Sequence, residues 1–232
     1  MTTVVSKEAL KRLFDTGAHF AQVKARRHPS MKPFLVGTKG RQEIIDLAQT
    51  SEQIDAAKAA MSTLAKEGKV VLFVGGKVEV SALVKKAAQD IQAPYVATRW
   101  LGGTISNWVE IKKRVDRLAE LEDTSAAGAM SKQHTKLELV KMDREKKRLQ
   151  ERLDGITTLT KKPDALVVVD TKHEKYAVKE ANEAGIPIIA LMSSDCNLKE
   201  VSYPIVANDA SRETVRLVLA DLVEAFKAGQ VA

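Results

Sequence analysis

Short apolar, β-branched runs alternate along this chain with longer stretches in which apolar positions recur every three or four residues. "KVVLFVG" (69–75), "PYVAT" (94–98), "DALVVVD" (164–170), "IPIIALM" (186–192) and "YPIVAND" (203–209) are each bounded by Gly, Pro, Asn or Asp. Runs of this kind are expected of strands buried on both faces, as in a parallel sheet covered by helices above and below. Between them, "SEQIDAAKAAMSTLAKEG", "EVSALVKKAAQDIQ", "KYAVKEANEAG" and "SRETVRLVLADLVEAFKAG" carry helical periodicity. Three of these stop at a glycine (Gly68, Gly185 and Gly229), the residue that most easily takes a left-handed cap. The alternation predicts an α/β fold with a doubly wound parallel sheet. Near the N-terminus, "MKPFLVG" and "RQEIIDL" flank "TKG" and predict a small hairpin leading into the first long helix.

Residues 105–155 break the alternation. Apolar residues recur at Ile105, Trp108, Ile111, Val115 and Leu118, "DTSAAGAMS" then reads as a loop, and a second helical stretch starts near Lys132. Two antiparallel helices are expected. The second contains "DREKKR" (143–148), six charged residues with no apolar face, so this part buries little and projects. The chain therefore divides into a sheet domain, residues 1–104 and 156–232, with a basic N-terminal arm, and an inserted antiparallel helical hairpin at 105–155.

Charge sharpens this division. The 232 residues hold 37 Lys+Arg against 30 Asp+Glu, a formal net charge of +7. Residues 1–50 carry 9 bases and 4 acids, residues 112–162 carry 14 and 9, and residues 163–232 carry 7 and 11. Basic surface thus belongs to the arm and the insertion, and a polyanionic partner is expected there. The single cysteine, Cys196, forms no internal disulfide, and no stretch reaches the roughly 18 apolar residues of a membrane span. The N-terminal "MTTVVSKEALKRLFDTG" mixes acids and bases without an apolar core, so a reduced, cytoplasmic protein is expected.

Enzymatic chemistry finds little support. "FVGGKVEVS" follows a strand, but a Walker loop ending at Gly76 and Lys77 needs Gly at 71 and Ser or Thr at 78, where the chain has Val71 and Val78. No third glycine completes a dinucleotide fingerprint. Asp170 and Thr171 in "VVVDTKHEKYA" read as a helix cap. His19, His28, His134 and His173 are scattered and offer no zinc spacing, and Cys196 has no local catalytic signature. No cofactor or metal is expected.

The stretch "ATRWLGGTISN" (97–107) lacks an acid or base beside its glycines, and Thr104 is expected to cap the helix that follows. It does place a guanidinium and a flat ring beside flexible backbone, a set suited to phosphate and ribose contact. "RWLGGTISNW" followed by "IKKRVDRL" resembles the signature of the universal small-subunit ribosomal protein two family. "GAHFAQ", "RRHPSMKPFLVG", "IIDLAQT", "VLFVGGK", "LDGI", "PDALVVVDTKHEKYAVKEANEAGIPIIALMSSDCN" and "YPIVANDAS" extend the resemblance in order over residues 8–229. Departures fall at Ala21, Gln22 and Val23, at Gly76, Lys77 and Val78, and across Ser193 to Lys199.

The resemblance implies a Rossmann-like (flavodoxin-like) sheet carrying a coiled-coil hairpin. It also implies a non-enzymatic component of the small subunit that binds rRNA between head and body and helps the large mRNA-binding ribosomal protein one to dock. Neither a membrane nor a second copy of the chain is an expected partner. The candidate RNA contacts are Lys24, Arg26, Arg27, Lys32, Lys39 and Arg41 in the arm, Arg99 in the signature loop, and Lys112, Lys113, Arg114 and Arg117 on the first hairpin helix. Most are expected on phosphate. Trp100 is expected beneath the turn, holding Arg99 outward. Two other readings stay open at this point: an enzyme or small-ligand binder using the strand-end cleft near Asp170 and Ser193, and an RNA-binding adaptor outside the ribosome.

Overall fold

The computed structural model describes residues 7–126 and 135–231. It begins with α1 (Lys7–Asp15), then β1 (Phe20–Val23), β2 (Leu35–Lys39) and β3 (Gln42–Ile45). The three strands form an antiparallel sheet in the order β1-β3-β2. The "TKG" turn makes the expected hairpin, with Gly40 at φ +65°. Neither α1 nor β1 was foreseen. Only Leu13 of α1 and Ala21 of β1 are buried; α1 does carry apolar residues at helical spacing, Leu10, Leu13 and Phe14, but over a single short stretch of nine residues, and β1 has only four.

Asp46 starts the next element by accepting from the Ala48 N–H at 3.0 Å, and α2 (Leu47–Lys66) follows. The chain continues through β4 (Val71–Val74), α3 (Val78–Gln89), β5 (Tyr95–Val96), α4 (Trp108–Ala126), α5 (Lys136–Leu153), β6 (Ala165–Val169), α6 (Lys175–Glu183), β7 (Ile188–Met192), β8 (Tyr203–Val206) and α7 (Arg212–Val231). β4 to β8 form one parallel sheet in the order β5-β4-β6-β7-β8, which is the doubly wound arrangement expected. The apolar runs are continuous because successive side chains enter different cores. Val71, Phe73, Val167, Ile189 and Leu191 meet α2, α3 and α7 on one face. Leu72, Val74, Leu166, Val168 and Ala190 meet α4, α6 and the signature loop on the other. A third cluster, with Ala21, Met31, Ile45, Met192 and Val206, fastens the small sheet to the ends of β7 and β8.

Two glycine caps form as expected, at Gly68 (φ +61°) and Gly185 (φ +69°). Gly229 does not cap. It lies inside α7, where a Cβ would stand 2.5 Å from the Ser62 carbonyl oxygen, so its smallness lets α7 press against α2. The hairpin helices are present as α4 and α5, with the start of α4 and the end of α5 anchored in the same core through Ile111, Val115, Leu118 and Leu153. Leu153 is the only buried residue of α5, as the charged run implied. The loop read at "DTSAAGAMS" and the start of the second helix near Lys132 fall largely outside the described residues. So does His134. Thr135 heads α5 with a reciprocal capping box to Glu138.

Candidate nucleic-acid interface

The signature loop is organised from a distance. Glu180, on α6, directs both carboxylate oxygens into it. Oε1 accepts from the Gly103 N–H at 2.8 Å and the Trp100 indole N–H at 3.2 Å, and Oε2 accepts from the Ile105 and Ser106 N–H groups at 3.0 and 3.2 Å. Burial alone would raise the Glu180 carboxyl, but these backbone donors and the indole outweigh it and hold it below its ordinary value. Trp100 is 6 % exposed and packs in the second core, while Arg99 beside it is exposed, as expected. Thr104 does not cap α4. Its hydroxyl donates to the Leu101 carbonyl at 2.7 Å within the turn, and α4 starts four residues later. Glu180 satisfies N–H groups of the turn that precedes the helix, and the Asn107 carbonyl accepts from Glu110 and Ile111 in the first turn of α4.

A cleft of about 550 Å³ opens where the strand order reverses, between the ends of β4 and β6, lined by Gly76, Arg99, Gly102, His173, Glu174 and Tyr176. Apart from Arg99, the potential anion donors around it are occupied. The Gly76 N–H donates to buried Glu174 at 2.9 Å. Asp170, at φ +64°, accepts from the Lys172 and His173 N–H groups and so closes the turn after β6; it does not cap α6 as expected, because that helix starts only at Lys175 behind Glu174. Its other oxygen meets Lys77, whose ammonium also reaches Asp209 at 3.5 Å, and Lys172 pairs with Asp195 at 2.9 Å. Burial works against the Lys77 charge, yet Asp209 and Asp170 outweigh it and raise its pKa. Burial first, and then the Asp170 charge, push Asp209 up to about 6. Burial likewise pushes the Cys196 thiol up to about 12, which removes it as a nucleophile near neutrality. Ser193 is 1 % exposed. Arg99 is the one lysine or arginine among the described residues lining this cleft, and neither Cys196 nor Ser193 lines it, so the enzyme reading has little to rest on. Among the described residues, no group of His, Cys, Asp and Glu is arranged to hold a metal ion.

The eleven basic candidates do not form one patch. Lys24, Arg26, Arg27 and Lys32 lie on the segment joining β1 to β2, which is stapled to the strand ends by the His28 N–H to the Ser194 carbonyl at 2.8 Å. Arg27 is spent internally, on buried Glu43 at 2.8 Å. Lys39 and Arg41 flank the β2–β3 turn, both exposed. On α4, Lys113, Arg114 and Arg117 line a groove of about 520 Å³ shared with α5, whereas Lys112 does not. The α5 side of that groove contributes Arg148 and Arg152, which the sequence reading missed.

The family model for ribosomal protein S2 matches residues 13–229. The chain belongs to the ribosomal protein S2 family. Among its relatives, the small ribosomal subunit protein uS2 of Kocuria rhizophila is 37% identical over 220 residues, covering 95% of this chain and 77% of the relative. That of Micrococcus luteus is 37% identical over 223 residues (96% and 78%), and that of Picosynechococcus sp. 36% over 222 (96% and 86%). Against the S2 family pattern, one departure has a visible structural partner. Glycine at 76 lies where a Cβ would collide with the Thr98 carbonyl oxygen, so the closeness of β4's end to the signature loop depends on it. Glu180 was invisible in the sequence because its partners lie about eighty positions away and its own segment reads as an amphipathic helix.

Proposed function

We propose that this chain is a structural, non-catalytic constituent of the small ribosomal subunit in the cytoplasm, held there by rRNA contacts. The observation that carries the reading is the S2 family match over nearly the whole chain. The distribution of charge supports it. Carboxylates engage Lys77 and Lys172 at the strand ends, while Arg99, Lys112, Arg114, Lys24, Arg26, Lys32, Lys39 and Arg41 have no carboxylate partner among the described residues. Unpaired surface cations cost little in water and become useful when a phosphate arrives and counterions leave. In this reading the sheet domain (1–104 and 156–232) is the scaffold, and the hairpin (105–155) is an arm extended toward RNA. Docking of ribosomal protein one beside it belongs to the same proposal and rests on the family resemblance. The chain acts as a single copy, and no described helix is long and apolar enough to cross a membrane.

Sedimentation of a tagged copy from lysate through sucrose tests this at moderate and high salt. Co-migration with the small subunit, weakened by salt, is the expected result. A tagged chain that stays in the soluble fraction at both salts overturns the reading.

A further inference from the structure

The groove between α4 and α5 is rich in cations. Its volume is about 520 Å³, and five cations and two carboxylates line it, leaving three net positive charges in one place. The carboxylates are used locally: Glu110 holds Lys113 at 2.6 Å, and Glu145 reaches Arg117 at 3.7 Å across the two helices. Arg114, Arg148 and Arg152 have no carboxylate partner among the described residues, and all three are exposed. Arg148 and Arg152 stand four residues apart, one above the other on the same face of α5. Arg114 approaches from the opposite wall. Leu101 of the signature loop closes the inner end, which makes the groove continuous with the loop carrying Arg99.

Like charges cluster this way at a cost unless an anion completes them. A guanidinium fork matches the two free oxygens of a phosphodiester, and three forks facing one channel match successive phosphates of a strand rather than one ion. We propose that this groove is a phosphodiester-binding channel for RNA, with Arg114, Arg148 and Arg152 as its direct ligands and Arg117–Glu145 as the strut that sets its width. The proposal rests on the rRNA-binding reading above and adds to it a second helix and a defined seat. It also assigns the hairpin a reason to be a pair: a single basic helix has no channel.

Filter binding of the full-length chain to small-subunit rRNA transcribed in vitro, over a salt series, tests it. Two double variants with equal charge change are compared: Arg148→Glu with Arg152→Glu in the channel, and Arg144→Glu with Lys147→Glu on the same helix outside its lining. The channel variant is expected to lose about tenfold or more in affinity at ~0.1 M salt and about two from the slope of log affinity against log salt. The outside variant is expected to lose less than about threefold. Arg148→Gln with Arg152→Gln, which removes charge without reversing it, is expected to lie between, and circular dichroism should match the wild type throughout. Equal losses from both reversals would overturn the channel in favour of diffuse attraction, and no loss from the channel reversal would overturn it outright. Failure of the wild-type chain to bind the transcript would instead bring down the rRNA-binding reading on which the channel rests.

Discussion

The strand ends and the hairpin groove both gather lysines or arginines, yet they treat most of that charge in opposite ways. At the strand ends the counter-charge is supplied from within. Lys77 is met by Asp170 and Asp209, Lys172 by Asp195, and the N–H groups of Gly76, Gly103, Ile105 and Ser106 by two glutamates. In the groove, Arg114, Arg148 and Arg152 have no such partners among the described residues. A sheet crevice that would host a phosphate in a nucleotide-binding enzyme is here closed by the protein's own carboxylates. Internal pairing at the cleft makes it part of the scaffold, and unpaired charge on the hairpin leaves it open to an external polyanion.

That contrast can be attacked first where it predicts the greatest damage. Trp100→Ala removes a nearly buried ring and one of the donors to the Glu180 carboxylate, and is expected to cost about 3–4 kcal/mol, read as a fall in thermal midpoint. Glu180→Ala leaves three backbone N–H groups and the indole without an acceptor. Its expected cost is about 3 kcal/mol at neutral pH, with Glu180→Gln retaining part of the stability. Because the folded carboxyl sits below its ordinary value of 4.5, its contribution is complete above that pH and is lost as pH falls through the lowered value. The gap between wild type and Glu180→Gln should therefore narrow below about pH 4. An unchanged gap down to pH 3 would show that the carboxylate's charge is not what holds the loop.

Asp209 sharpens the comparison in the other direction. Its folded pKa is raised to about 6 from 3.8, so the native state binds a proton more readily than the unfolded chain. Ionising it costs stability, and that cost grows as pH rises from about 4 to about 6 and then levels off. Asp209→Asn is expected to be more stable than wild type at pH 7.5, by on the order of 2 kcal/mol, with the difference vanishing near pH 4. Thermal melts of both proteins across that range check it. A less stable variant at pH 7.5 would mean that the Lys77 pair contributes more than burial and the Asp170 repulsion together remove.

Much of this architecture was legible before any coordinates. Val, Ile and Leu runs such as "ALVVV" and "IIALM" have few alternatives to doubly covered strands, and the burial of Ile105, Trp108, Ile111, Val115 and Leu118 follows from spacing alone. What escaped was whatever depends on distant partners. Four-residue β1 has meaning only beside β3, and Gly229 is explained by Ser62 of another helix. Glu180 is one polar residue among several in its helix until its five donors, the Ser106 hydroxyl included, are seen. Arg148 sits in "DREKKR", where charge looks merely solvated, and only the pairing of α4 with α5 separates it from its neighbours. Arg27, chosen as an RNA contact for its place in a basic arm, turns out to serve buried Glu43.

The most direct test sets two adjacent residues against each other: Arg99→Ala and Trp100→Ala, each measured for thermal midpoint and for affinity to small-subunit rRNA at ~0.1 M salt. Division of the loop into an inward anchor and an outward contact predicts that Arg99→Ala leaves the midpoint within about one degree of wild type and weakens binding about three- to tenfold. Trp100→Ala is predicted to lower the midpoint by roughly ten degrees. If Arg99→Ala lowers the midpoint as far as Trp100→Ala does, or leaves RNA affinity untouched, the assignment of unpaired charge to an external partner is contradicted.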